Sequence, residues 1–236
     1  MGEEGDYHHK NTIDPAIYSI IGNPKGKVIY DIGCGNGYMA RYFAKNGATE
    51  VFASDVSEKL IGHAKKITRD LPIHYQIHDA TNFNHYTENQ FDIVVMNMVI
   101  HYIEDLDKLF SGISKVLKEN GVFAFSTSHF FRPPHPYSSW IKGKLDDEER
   151  LFIQVTDYLN TKTKRVGGVL LKSELWEYYN HPLNQIVNTL SENNLYLHKV
   201  IEPESGDKFA TDFDEKLRRT HHIPTFLIVG AKRIIS

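Results

Sequence analysis

The sequence is short of several things, and each shortage closes off a class of protein. One cysteine, Cys34, occurs in 236 residues. An internal disulfide and a cysteine-only zinc site are therefore both excluded. No apolar run approaches the roughly 18 residues that a membrane helix needs. Met1 to Lys10 is polar and acidic, without the apolar stretch of a secretory signal. Excess basic charge is missing as well: the formal net charge is -3, and Lys162, Lys164 and Arg165 form the largest basic cluster. A protein that grips nucleic acid by neutralising many phosphates needs a basic face. No internal repeat or low-complexity tract interrupts the chain. These shortages lead to the expectation of a soluble, cytoplasmic protein without nucleic-acid or membrane partners. Its oligomeric state is open.

What is present is an ordinary globular composition, 41% hydrophobic and 24% charged, sufficient for one well-packed domain over residues 1–236. Lys27 to Ile32 reads as a buried strand. Asn36 to Asn46 follows as a helix with Met39, Ala40 and Phe43 on one face. Glu50 to Ser54 is a second strand. Ser57 then caps a helix whose inner face is Leu60, Ile61, Ala64 and Ile67. Ile73 to Ile77 is a third strand, and Phe91 to Val99 is apolar enough for a strand covered on both faces. Leu106, Leu109, Phe110, Ile113, Val116 and Leu117 recur at helical spacing up to Asn120-Gly121, before a strand over Val122 to Ser126. Strand and helix alternating in this way predict an open parallel sheet joined by right-handed crossovers.

The rhythm breaks after Thr127. Pro133, Pro134 and Pro136 cluster, and Phe152 to Tyr158 alternates like an exposed strand. Residues 129–181 read as an insertion that covers a ligand site as a lid. Its aromatic residues, Tyr137, Trp140, Trp176, Tyr178 and Tyr179, serve either that lid or a satellite core. A helix around Leu183, Ile186, Val187 and Leu190 returns, followed by strands at Leu195 to Ile201 and Thr225 to Ala231.

Open parallel sheets bind ligands at the carboxyl ends of their strands. Asp31, Asp55 and Asp79 fall at or just after the ends of the first three strands, which sets them side by side on one rim. Gly33, Gly35 and Gly37 make a tight turn through which backbone can approach a ligand, with a helix N-terminus beside it. Two ligand classes fit. A nicotinamide dinucleotide favours G-x-G-x-x-G/A, but Tyr38 stands in the sixth place. An amino-acid-bearing nucleoside suits the pattern better: Asp31 accepts an ammonium group, Asp55 takes two ribose hydroxyls and Asp79 faces an adenine amino group.

The stretches "VIYDIGCGNG", "VFASDVSEKLIGHAKK", "IHDATNF" and "FDIVVMNMVIHYIEDLDKLFSGISKVLKENGVFAFS" resemble, in order and spacing, the successive motifs of class I S-adenosylmethionine-dependent methyltransferases. The resemblance covers about Lys27 to Ser126. It implies an α/β fold: a three-layer Rossmann-like sheet of seven mostly parallel strands, the last antiparallel, with the insertion after the fifth strand. It also implies that Asp31, Gly33, Cys34, Gly35 and Gly37 lie along the methionine part of S-adenosyl-L-methionine, the cofactor. Asp55 and Val56 would take the ribose and adenine, Asp79 and Ala80 would flank the adenine, and Asn97 and Met98 would form the rim below the sulfonium. The product would be S-adenosyl-L-homocysteine.

A sulfonium methyl already has a good leaving group, so the protein's main task is to hold the acceptor in line. No catalytic motif is required. His101 and His129 are candidates for a base or for pocket lining. "IHYIEDL" resembles a stretch that lines the pocket in small-molecule members of the family, with Tyr102 as its aromatic residue. "YYNHPLNQIVNTL" resembles a Y-H-R-P-L acceptor-site stretch, except that Asn180 takes the histidine place and His181 the arginine place. His181 is kept for the pocket only, with Tyr102, Trp140, Trp176 and Tyr179. Adjacent pairs such as His8-His9 and His221-His222 diverge rather than converge on a metal. N/D-P-P-Y/F is absent after the fourth strand, as is a Pro-Cys nucleophile, which speaks against methylation of nucleobases. The expected reaction is methyl transfer to a small molecule. A nicotinamide-dependent oxidoreductase, or a cofactor-binding domain without catalysis, is the alternative.

Overall fold

The computed structural model describes residues 8–130, 138–145, 148–156, 158–159, 164–167, 175–204 and 224–234. A short π-helical turn, His9–Ile13, leads into α1 (Asp14–Ile21), with a proline in its first turn where a missing N–H costs nothing. There follow β1 (Val28–Ile32), α2 (Tyr38–Lys45), β2 (Glu50–Asp55), α3 (Glu58–Ile67), β3 (Ile73–Ile77), β4 (Phe91–Asn97), a 3-10 turn (Ile100–Tyr102), α4 (Leu106–Val116) and β5 (Leu117–Ser128). Two two-stranded ribbons come next, β6 (Ser138–Leu145) with β7 (Glu148–Val155) and β8 (Lys164–Gly167) with β9 (Leu175–Tyr178). The chain closes with α5 (Leu183–Glu192), β10 (Leu195–Ile201) and β11 (Phe226–Arg233).

Seven strands form one sheet in the order β10-β11-β5-β4-β1-β2-β3. Six of these strands share one direction, and β11 runs antiparallel to both its neighbours, β10 and β5. Strand order reverses between β1 and β4, which opens a crevice at their carboxyl ends. The apolar run in β4 is explained by burial on both faces. Val94 and Met96 pack toward α4 and α5 with Phe110, Ile113 and Ile186, whereas Ile93 and Val95 pack toward α1, α2 and α3 with Ile17, Phe43 and Ile61. Gly230 in β11 lets α1 lie close, since a Cβ there would meet Ile20 Cγ2 at 2.5 Å.

Several expected boundaries move for identifiable reasons. α2 starts at Tyr38 rather than Asn36, because Gly33, Gly35 and Gly37 all hold positive φ and the chain is not yet helical there. β4 ends at Asn97, since Met98 has φ +59. α4 stops at Val116, short of Asn120-Gly121: Leu117 is already extended and pairs with Phe91, and Asn120 (φ +60) takes up a register shift before Val122 meets Ile93. Leu60, expected on the inner face of α3, is 39% exposed, so Ile61 and Ala64 carry that contact. The helical segment ahead of β1 is not foreseen in the sequence pattern at all.

Candidate functional site

Asp31, near the end of β1, is 1% exposed, and its Oδ2 has no hydrogen-bond partner. Burial first, and the charge of Asp55 second, push its carboxyl up to about 7, although a bond from the Ala40 N–H pulls the other way. The loop after it is pinned from β2. Cys34 N–H donates to Ser54 O (2.9 Å), and Gly35 N–H donates to Asp55 Oδ2 (2.9 Å). Asp55 Oδ1 accepts from Ser57 N–H (2.9 Å), so this carboxylate ties the glycine loop to the N-terminus of α3.

The three glycines have different reasons to be glycine. A Cβ at Gly33 would lie 2.3 Å from Val99 Cγ2, and one at Gly37 would lie 2.3 Å from the Tyr75 hydroxyl. Protein, not ligand, occupies those two directions. At Gly35 (φ +55) nothing lies within 4 Å, so that glycine faces open space. Cys34 is buried and its thiol is pushed upward by burial, so it is a small packing residue rather than a nucleophile.

Val56 follows Asp55 and is 69% exposed, an apolar side chain left open to solvent. Asp79 is exposed just beyond β3, where its Oδ1 accepts from both the N–H and the hydroxyl of Thr81 (2.7 Å each). Those bonds hold its carboxyl below the usual range. Ala80 beside it is half-buried against the core.

Asn97 and Met98 end β4 in a polar chain drawn from four elements. Asn97 Nδ2 donates to Tyr38 Oη (2.7 Å) and to Asp14 Oδ1 (3.1 Å), and Tyr38 O–H donates to the same Asp14 oxygen (2.9 Å). On the other side, Ser126 Oγ donates to Asn97 Oδ1 (2.6 Å) and accepts from Met98 N–H (2.9 Å). Sequence reasoning missed Asp14, Ser126 and the constructive role of Tyr38. The partners lie 83, 59 and 29 residues from Asn97, and no spacing rule spans such gaps. Asp14 and Tyr38 also border a cavity of about 390 Å³ between α1 and α2, whose other walls include Lys10, Tyr18 and Arg41.

The candidate pocket residues separate into two places. His101 is buried in the 3-10 turn, 3.3 Å from Thr127 Oγ1 and stacked on Tyr178 with 4.8 Å between ring centroids. Tyr179 N–H donates to His101 O, which fastens the end of β9 to this turn, and Tyr102 next to it is 45% exposed. His181 is also buried. Its Nε2 donates to Ile103 O (2.7 Å), and burial lowers its pKa, so it serves as a neutral strut under the turn. His129 lies elsewhere. Its Nε2 is 2.9 Å from Glu202 Oε1, and it lines a largely apolar cavity of about 150 Å³ with Phe130, Ile186, Val187 and Val200. None of the glycine-loop residues borders that cavity. Trp140 and Trp176 fall on β6 and β9, but their side chains, like Tyr137, lie outside the described residues. Among the described residues no three His, Cys, Asp or Glu side chains converge as a metal site, and no helix is long and apolar enough to cross a membrane.

A seven-stranded sheet with one antiparallel strand, opening at the β1/β4 switch point beside a glycine loop and two acids, is the architecture of open α/β proteins that take a ligand at the carboxyl ends of their strands. Comparison with known proteins makes this specific. Residues 30–125 match the family described as "Methyltransferase domain". An S-adenosylmethionine-dependent methyltransferase from Mesorhizobium loti superposes with a TM-score of 0.78 at 26% identity, over 98% of this chain and 100% of that one. An "Arginine-hydroxylase NDUFAF5, mitochondrial" of Rattus norvegicus is 36% identical over 93 residues, and a "Ubiquinone biosynthesis O-methyltransferase" of Coxiella burnetii is 32% identical over 105. The matches span 26% and 44% of those two proteins, and 39% and 44% of this chain. The chain thus carries a methyltransferase domain of the class I S-adenosylmethionine-dependent type over residues 30–125, and S-adenosylmethionine is its cofactor. That assignment decides against the nicotinamide alternative.

Proposed function

We propose that the protein transfers the methyl group of S-adenosylmethionine to a small, partly apolar acceptor, and that the crevice between β1 and β4 holds the donor. The single observation that carries the donor site is the buried, unpartnered Asp31 Oδ2 beside the one loop glycine that faces open space. A carboxylate in that state lacks a cationic partner, and the donor's ammonium group supplies one. Gly33, Cys34, Gly35 and Gly37 carry the backbone along the methionine end. Asp55 retains acceptor lone pairs for the ribose hydroxyls, since each of its oxygens takes one backbone N–H. Val56 and Ala80 supply apolar walls for the adenine, and Asp79 borders it. Asn97 and Met98 form the floor under the reacting sulfur.

When bound, the donor supplies a methyl group on a positively charged sulfur, open to in-line displacement. The chain's own residues then orient and desolvate. His101 and Tyr102 border the acceptor space, and Tyr179 ties the insertion to the same turn. The described strands of the insertion, β6 to β9, would supply the lid, while the Trp140 and Trp176 side chains expected there lie outside the described residues. His101 is the nearer base candidate, because its turn follows β4 directly; His129 faces the separate cavity with Glu202. The name of the Coxiella relative is in keeping with oxygen as the methylated atom. The test incubates the enzyme and a deuteromethyl-labelled donor with a metabolite extract read by mass. A discrete labelled product of low mass supports the reading, and labelling of protein or RNA alone refutes it.

A further inference from the structure

The polar chain at the end of β4 begins at a carboxylate that the donor site as read above does not use. Asp14 projects from the first turn of α1 and is 4% exposed. Its Oδ1 accepts from Tyr38 O–H and from Asn97 Nδ2, so the charge is held one side chain away from the residue assigned to the floor beneath the sulfur. Asp14 and Asp31 also feel each other electrostatically, which sets both within one low-dielectric region. Two cations lie in the same neighbourhood. Arg41 Nη1 donates to Asn36 O at 2.7 Å, and Lys10 and Arg41 border the same cavity as Asp14.

S-adenosylmethionine and S-adenosylhomocysteine share the ammonium, carboxylate, ribose and adenine, and differ at sulfur by one methyl group and one positive charge. A residue that acts on the ammonium, as Asp31 is placed to do, affects both compounds alike. A buried carboxylate beside the sulfur acts only on the charged one. We propose that Asp14 is the residue that distinguishes charged donor from neutral product, favouring the sulfonium and weakening the hold on the thioether once the methyl group has left. This rests on the donor site proposed above. Tyr38 and Asn97 fix the position of the charge, and Ser126 fixes Asn97 from β5.

Calorimetric titration of the whole protein with each compound provides the test, with the ratio of the two dissociation constants as readout. Asp14→Asn keeps the size of the side chain and removes the charge. It is expected to shift that ratio about tenfold toward S-adenosylhomocysteine, as loss of one charge at short range in a poorly screened site requires. Tyr38→Phe keeps the charge and deletes two neutral-donor hydrogen bonds, the one to Asp14 and the one from Asn97, and should move the ratio by less than about twofold. Equal weakening of both compounds by Asp14→Asn, or an unchanged ratio, would reduce Asp14 to a packing residue and overturn the proposal. Should the asparagine variant fail to fold, Asp14→Ser, which leaves room for water, poses the same question with the same criterion. Failure of the unaltered protein to bind either compound would instead refute the donor site itself, so the two failures are distinguishable.

Discussion

Replacing Asp31 by asparagine should make the protein more stable and less able to bind its cofactor, in opposite and separately measurable amounts. The folded protein raises this carboxyl from 3.8 to about 7, mainly by burial. A raised acid holds its proton more tightly when folded than when unfolded. Below pH 3.8 both states are protonated and the shift has no effect on stability. As pH rises toward 7 the unfolded chain ionises first, so stability falls; above about 7 the loss is complete. Three pK units correspond to about 4 kcal/mol. An asparagine does not ionise, and its oxygen can still accept from the Ala40 N–H, but its buried amide hydrogens cost about 1 to 3 kcal/mol where no acceptor faces them. The expected net gain is therefore about 1 to 3 kcal/mol at pH 8, turning into a net loss of about 1 to 2 kcal/mol by pH 4. Urea denaturation at both pH values measures it. In the same protein, calorimetry should show S-adenosylmethionine binding weakened at least tenfold, because the ammonium loses its counter-charge. For the unaltered protein, affinity should fall about tenfold for each pH unit below 7. A variant no more stable than the parent at pH 8, yet binding normally, would show that Asp31 neither suffers from burial nor meets the ligand.

Asp55→Ala should weaken cofactor binding more than tenfold in the same titration, because it removes the ribose acceptor and also frees the Gly35 and Ser57 N–H groups. Gly112→Ala within α4 would ordinarily stabilise a helix by about 1 kcal/mol. Here the new Cβ would lie 2.0 Å from Phe83 Cδ2, so thermal unfolding should instead show a loss of about 2 kcal/mol, and Phe83→Leu should cost less in the Gly112→Ala background than alone. Ser57→Ala removes the side-chain acceptor for Leu60 N–H at the start of α3 and should cost about 1 kcal/mol in urea, with no effect beyond that if Asp55 is undisturbed.

Local rules made much of this protein readable from its residue order. Alternation of strand and helix gave the open sheet, because a run apolar on both faces, such as Phe91 to Asn97, has no stable place except between two helical layers. Asp31 and Asp55 could be set on one rim because each closes a strand of one repeating unit. Ser57 was legible as a cap because its partner lies three residues away. The boundary at Asn120-Gly121 misled for a physical reason: these residues do favour a helix stop, but pairing of Leu117 with Phe91 had already drawn the chain into the sheet.

The chain alone thus determined the layered fold, the glycine loop and the two acids beside it, all properties of short windows whose geometry the backbone dictates. Tertiary structure alone decided that Val99 and Tyr75 are what forbid side chains at Gly33 and Gly37, that His129 turns toward Glu202, and that a helix ahead of the first strand delivers Asp14 to Asn97. Those contacts join residues tens of positions apart. They depend on how strands register and helices pack, and no pattern within a single element encodes that.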